Sequence, residues 1–237
     1  MIGLEGYTRY AVFWAPPAGS GLARFGAEWL GWDAEAGRSA SQPGPTLPRP
    51  LAEITRTPRR YGFHATLKPP FRLTAGTDAA ALDQALVSLA ARHPPATAPG
   101  LATSTRLGFV ALMPTGPSPE INALAATCTR DLDPFRAPPT EVELAQRRAR
   151  GLTDHQEENL SRWGYPYVLD DFRFHLTLTG RIQPGEAGAL SVAATTLAAP
   201  HLDPVLRVDD ISLFGDPGGG EGFRLLRRYR LTGTGPG

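Results

Sequence analysis

Two short stretches carry residue types that could do chemistry together: Phe63-His64-Ala65-Thr66-Leu67-Lys68 and, 111 residues further along, Phe174-His175-Leu176-Thr177-Leu178-Thr179. Neutral imidazole takes a proton and imidazolium gives one, and an ordinary pKa near 6.5 suits both tasks around neutrality. A threonine hydroxyl two residues on can donate to an oxygen on which charge gathers. One His-x-Thr is common by chance. Two copies in the same Phe-His-x-Thr-Leu frame, in a chain with five histidines, point to two halves of one site.

Both stretches alternate apolar and polar residues and are rich in Phe and Thr, which predicts β-strands. With a side-chain period of two, Phe63, Ala65 and Leu67 face a core while His64, Thr66 and Lys68 face the other way. In the second copy the same division groups Arg173, His175, Thr177 and Thr179. Two histidines facing one site can supply a base for an attacking nucleophile and an acid for a departing oxygen. His64, Thr66, His175 and Thr177 are therefore the candidate catalytic residues. Lys68 and Arg173, on the same faces if the alternation holds, are candidate substrate-binding cations. Each has a structural rival: Lys68 as a strand-end lysine in solvent, Arg173 in a salt bridge with Asp170 or Asp171. Tyr10, Tyr61, Tyr165 and Tyr167 could bind a sugar or base, or anchor core and loops.

The flanking stretches Arg59-Arg60-Tyr61-Gly62-Phe63-His64-Ala65-Thr66-Leu67-Lys68-Pro69-Pro70-Phe71, Trp163-Gly164-Tyr165-Pro166-Tyr167 and Phe172 to Gly180 resemble the two-histidine phosphoesterase superfamily. They are most similar to a branch associated with bacterial phosphonate-metabolism operons. The resemblance runs from about Tyr7 to the last strand. It implies cyclic phosphodiesterase chemistry without a metal or other cofactor, on a small cyclic phosphate; the phosphonate setting favours a phosphorylated ribose. RNA 2′,3′-cyclic phosphate or 2′,5′-linkage chemistry, a non-catalytic nucleotide- or RNA-binding module, and a metal-dependent hydrolase using His155, Asp170 or Asp171 beside the two histidines are the alternatives. The plainest pattern of the superfamily has no fixed cation after the first motif, so Lys68 would read a second phosphate.

The elements that must position these residues can be read from the rest of the chain. Tyr7 to Ala15 is a strand ended by Pro16-Pro17, and Ser20 caps a helix over 21–32. Helices are also expected over 78–92, 119–131, 141–151, 154–163 and 186–199, and strands over 101–105, 109–114, 205–214 and 223–231. Pro94 to Gly100 reads as a connection. Arg147, Arg148 and Arg150 form a basic run, either a solvated face or a phosphate site. His93 and His201 are assigned to helix ends, and Cys128 to the inside of a helix.

Each half thus holds a His-Thr strand, a helix and further strands. The expectation is an α+β protein of two pseudo-symmetric lobes, each an antiparallel-rich sheet backed by helices, facing a central groove. Residues 1–237 would form one bilobal domain built by internal duplication. A net charge of +1 makes long nucleic acid an unlikely partner and favours a small phosphorylated substrate. One cysteine excludes an internal disulfide and a cysteine zinc site. No apolar run is long enough to span a bilayer and the first residues lack a signal-peptide core, so a cytoplasmic monomer is expected.

Overall fold

The computed structural model describes residues 3–234. Strand β1 (Arg9–Trp14) leads into helix α1 (Gly21–Leu30), the short strands β2 (Trp32–Asp33) and β3 (Arg38–Ser39), and two single turns, α2 (Leu51–Ile54) and α3 (Arg56–Arg59). The first motif strand, β4 (Ala65–Phe71), is followed by α4 (Ala79–Arg92), β5 (Ala96–Pro99), β6 (Leu101–Ser104), β7 (Ala111–Pro114) and α5 (Pro119–Asp131). Then come α6 (Glu141–Arg148), α7 (Asp154–Trp163), the second motif strand β8 (Leu176–Thr177), α8 (Ala187–Ala198), β9 (Val205–Val208), β10 (Asp210–Asp216) and β11 (Arg224–Arg230).

The helices begin where side chains can satisfy the unpaired N–H groups of a first turn. Ser20 accepts from the Ala23 N–H, Asp78 accepts from that of Ala81, and Thr140 and Thr153 form capping boxes with Glu143 and Gln156. Glycine in the left-handed region closes α1 at Gly31 and α7 at Gly164.

Seven strands form one antiparallel sheet in the order β11-β10-β1-β4-β8-β7-β6. The two motif strands are neighbours, with Ala65 opposite Leu176. Each motif strand is flanked by a strand that also pairs onward, β4 by β1 and β8 by β7. The hairpin β6–β7, which comes after β4 in the chain, thus lies beside β8, and the last hairpin, β10–β11, lies on the β1–β4 side. The first hairpin therefore pairs with the motif strand of the second half, and the last hairpin pairs with β1, the neighbour of the first motif strand. The element sequence is the one expected of an α+β fold, with strands from both halves of the chain in one continuous sheet.

Residues of α1, α4, α5 and α8 bury one face of this sheet in a large apolar core that includes Val12, Trp14, Leu67, Leu86, Leu124, Leu176 and Leu190. The other face has a smaller cluster, Ala11, Phe13, Ala15, Phe214, Phe223 and Leu225, with Tyr61 against it. Cys128 is buried in α5, and His93 caps the end of α4.

Three expectations about the strands need correction. Residues 205–214 are two strands, of which β9 leaves the main sheet to pair with β5, in the segment read as a connection. Proline at both ends of that segment masked a four-residue strand whose pattern is otherwise alternating. The second motif strand is only two residues long in ladder terms, because the chain bulges immediately after it. No described helix is long and apolar enough to cross a membrane.

Candidate active site

The antiparallel pairing of Ala65 with Leu176 fixes what lies beside it. One step outward in each direction, the register sets His64 opposite Thr177 and Thr66 opposite His175. All four then share a sheet face, since they alternate with the buried Ala65 and Leu176. Directly opposite residues have Cβ atoms about 5 Å apart and diagonal ones about 7–8 Å apart, so the two histidines are diagonal neighbours across the seam. They are close enough that charge on His175 lowers the pKa of His64.

Both rings are held in the same way. Nδ1 of His64 lies 2.9 Å from the Gly62 carbonyl oxygen, and Nδ1 of His175 lies 2.6 Å from that of Arg173. A carbonyl only accepts, so each neutral ring carries its proton on Nδ1 and leaves Nε2 with a lone pair. Nε2 of His64 is 3.2 Å from Thr66 Oγ1, and by the same logic the hydroxyl is the donor there. His64 also stacks on Phe13, ring centroids 3.8 Å apart, and Phe109 lies 5.7 Å from His175. Burial pushes the His64 imidazolium down to about 4; the Gly62 contact opposes this and the charge of His175 adds to it. Burial lowers His175 too, against the pull of the Arg173 carbonyl.

Gly62 makes the first of these contacts possible. Its φ of +73° is a left-handed conformation, and a Cβ there would sit 2.6 Å from that of Ala34.

Of the two expected cations, Lys68 is elsewhere. Lys68 is 2% exposed, on the helix side of the sheet, with Nζ 3.0 Å from the Thr129 carbonyl and 3.6 Å from Asp133. The cause is a bulge: Phe13 pairs with Thr66 but the next residue back, Val12, pairs with Lys68, so Leu67 is an extra residue and the alternation changes phase. The second motif does the same. The Val110 carbonyl accepts from the N–H groups of both Leu178 and Thr179, and Thr179 is buried, donating to the Gly180 carbonyl and accepting from the Val110 N–H. In both copies the alternation holds through the Thr and fails two residues later.

Arg173 is exposed, and its Nη1 is 2.7 Å from the Asp170 carbonyl and 2.6 Å from that of Phe172. It braces the loop whose carbonyl orients His175. Asp171 instead meets His155 at 2.6 Å. Tyr10 is 3% exposed, points into the helix-side core with Val12 and Trp14, and donates from its hydroxyl to the Leu4 carbonyl at 2.7 Å. Its strand is apolar on both faces, so nothing in its pattern told which face was the groove. For the same reason nothing in the sequence marks Phe13 as the platform under His64.

Of the other tyrosines, Tyr61 packs on Phe223 at 5.1 Å and lies 6.1 Å from His64, while Tyr165 and Tyr167 pack edge to face at 5.6 Å. No group of three or more His, Cys, Asp or Glu side chains suited to a metal ion occurs among the described residues.

The sheet and the doubled His-x-Thr pair define an α+β protein with two tethered imidazoles on one open face. The chain belongs to the family described as protein of unknown function (DUF1045), whose pattern matches residues 66–224. A relative from Janthinobacterium sp. (strain Marseille), named ribose 1,5-bisphosphate phosphokinase PhnN, is 35% identical over 237 residues, covering 98% of this chain and 52% of that protein. A protein of the same name from Laribacter hongkongensis (strain HLHK9) is 37% identical over 230 residues, covering 96% of this chain and 53% of its own. The chain spans about half the length of these curated relatives. Solved structures similar to it include one described as a phosphoesterase, with a TM-score of 0.43, 16% identity and coverage of 95% of this chain and 99% of that one. Another is E. coli LigT complexed with ATP, with a TM-score of 0.43, 14% identity and coverage of 96% and 99%.

Proposed function

We propose that the protein is a metal-independent phosphodiesterase that opens a small cyclic phosphate by two-histidine acid/base catalysis. The observation that carries this reading is the pairing of the two tethered rings: each Nδ1 is occupied by a backbone carbonyl, so each Nε2 is the proton-handling atom. The cyclic phosphate sits between the two Nε2 atoms. One neutral ring takes the proton of the attacking water as its oxygen bonds to phosphorus. The other, protonated, gives its proton to the departing sugar oxygen as the ring ester bond breaks, leaving an open phosphomonoester. Thr66 and Thr177 donate to the non-bridging oxygens.

His64, whose imidazolium burial pushes down to about 4, suits the base, and His175 the acid. For Thr66 this requires its hydroxyl to leave His64 Nε2 for a phosphate oxygen, freeing the lone pair of the base. The phosphonate-operon branch in the sequence resemblance, together with relatives named for a ribose bisphosphate enzyme, supports a phosphorylated ribose carrying the cyclic phosphate.

The test is to incubate the purified protein with a panel of 2′,3′-cyclic nucleotides and ribose cyclic phosphates, following phosphorus NMR with and without exhaustive chelation. Ring opening that survives chelation is expected. Activity lost on chelation and restored by zinc or manganese would overturn the mechanism.

A further inference from the structure

The basic run on α6 divides once its surroundings are known. Arg148 points to α7, where Glu157 pairs with it at 2.6 Å. Arg150 is exposed. Arg147 turns inward: its guanidinium lies 4.6 Å from the centroid of the Tyr165 ring, and its Nε is buried with no hydrogen-bond partner. The carboxylate one turn away, Glu143, is committed to the Arg72 guanidinium at 2.9 Å and the Thr140 N–H at 2.8 Å. Tyr61, the same residue that packs beside His64, lies within electrostatic reach of both Arg147 and Tyr165.

A cation taken partly out of water without a carboxylate is costly. Stacking on a tyrosine face recovers part of that cost and fixes the plane of the fork, leaving its N–H donors for an anion. We propose that Arg147, presented by Tyr165 beside Tyr61, binds a second anionic group of the substrate: a terminal phosphomonoester on the sugar whose cyclic phosphodiester lies between His64 and His175. This rests on the phosphodiesterase reading above. It gives Arg147 the part that the sequence offered to Lys68.

The experiment compares a ribose cyclic phosphate with and without a second phosphomonoester, using the full chain and its Arg147→Met and Arg147→Lys variants. Methionine keeps an apolar stem against Tyr165, and thermal melts check that both variants fold. The native protein should prefer the phosphorylated substrate in kcat/KM. Arg147→Met should lower that preference about 10- to 100-fold, through KM, as expected for losing a charged hydrogen-bonding partner. Arg147→Lys should fall between, having charge without the fork. No preference in the native protein, or the same preference in all three, would overturn the inference.

If neither substrate is opened, the phosphodiesterase reading fails by itself, and calorimetric titration with ribose 5-phosphate then decides the site. Binding that disappears in Arg147→Met supports it, and binding that is absent or indifferent to the substitution overturns it.

Discussion

The chemistry of the site is set by what each imidazole touches. With Nδ1 tied to a carbonyl in both, replacing either ring removes a proton carrier and leaves the sheet intact. His64→Ala and His175→Ala should each lower kcat by about 10²- to 10⁴-fold, with smaller changes in substrate affinity, while Thr66→Val and Thr177→Val cost less. Near-native turnover in either histidine variant would make that ring structural. The pH dependence arises from the same surroundings. Catalysis needs one ring neutral and one charged, and both pKa values lie below the ordinary 6.5, that of His64 at about 4. kcat/KM should therefore peak on the acid side, between about 4 and 6.5, and fall as pH rises above that range. Stability runs the other way. The unfolded chain takes up the His64 proton from about 6.5 downward and the folded protein only near 4, so protein stability declines as pH falls through that window. The decline should be shallower in His64→Gln, as read by denaturation at pH 7 and pH 5.

At the scale of elements, the positions of His64, Thr66, His175 and Thr177 on one face were legible because a strand alternates and both motifs keep the alternation that far. What was not legible was where it ends. A bulge adds one residue without any change in residue type: Leu67 and Leu178 look like ordinary core leucines in an alternating run, and Lys68 looks like the next outward side chain. The starts of the longer helices were legible because their signals are local, as with Asp78 and Ser20, although α1 and α6 end earlier than expected and the turns α2 and α3 carry no such cap, whereas the pairing of β5 with β9 depends on a partner far along the chain. The burial of Lys68 yields a prediction. Lys68→Met should keep turnover, since Asp133 retains Arg136 at 2.8 Å, and should change stability by roughly 1–3 kcal/mol in either direction; a loss of activity in a folded variant would put the lysine back in the site. Gly62→Ala should impair both stability and turnover, because its Cβ meets Ala34 in the turn that supplies the carbonyl behind His64.

Across the whole molecule, the two halves of the chain are interlocked: β1 pairs with β10, β5 with β9 and β7 with β8, and at the seam between the motif strands Ala65 lies opposite Leu176, the Trp29 indole N–H donates to the Leu178 carbonyl at 2.8 Å and the Gly180 N–H to the Ile54 carbonyl at 2.7 Å. We read the chain as one bilobal domain that arose by duplication, and the seam then makes folding of the halves interdependent. Urea unfolding monitored by tryptophan fluorescence and by far-ultraviolet circular dichroism should give one coincident transition. Trp29→Phe, which strands a buried carbonyl, should lower stability by about 1–3 kcal/mol. Two separated transitions would mean independent lobes. The paired bulges have a consequence for how such a chain can diversify. Were either leucine to take an ordinary ladder position opposite a partner of its own, the next side chain, Lys68 or Thr179, would fall on the groove face without altering any letter of the sequence. In this scaffold a change of register is a change of reagent, and relatives whose strands run on without the bulge after the motif threonine are where a different chemistry should be sought.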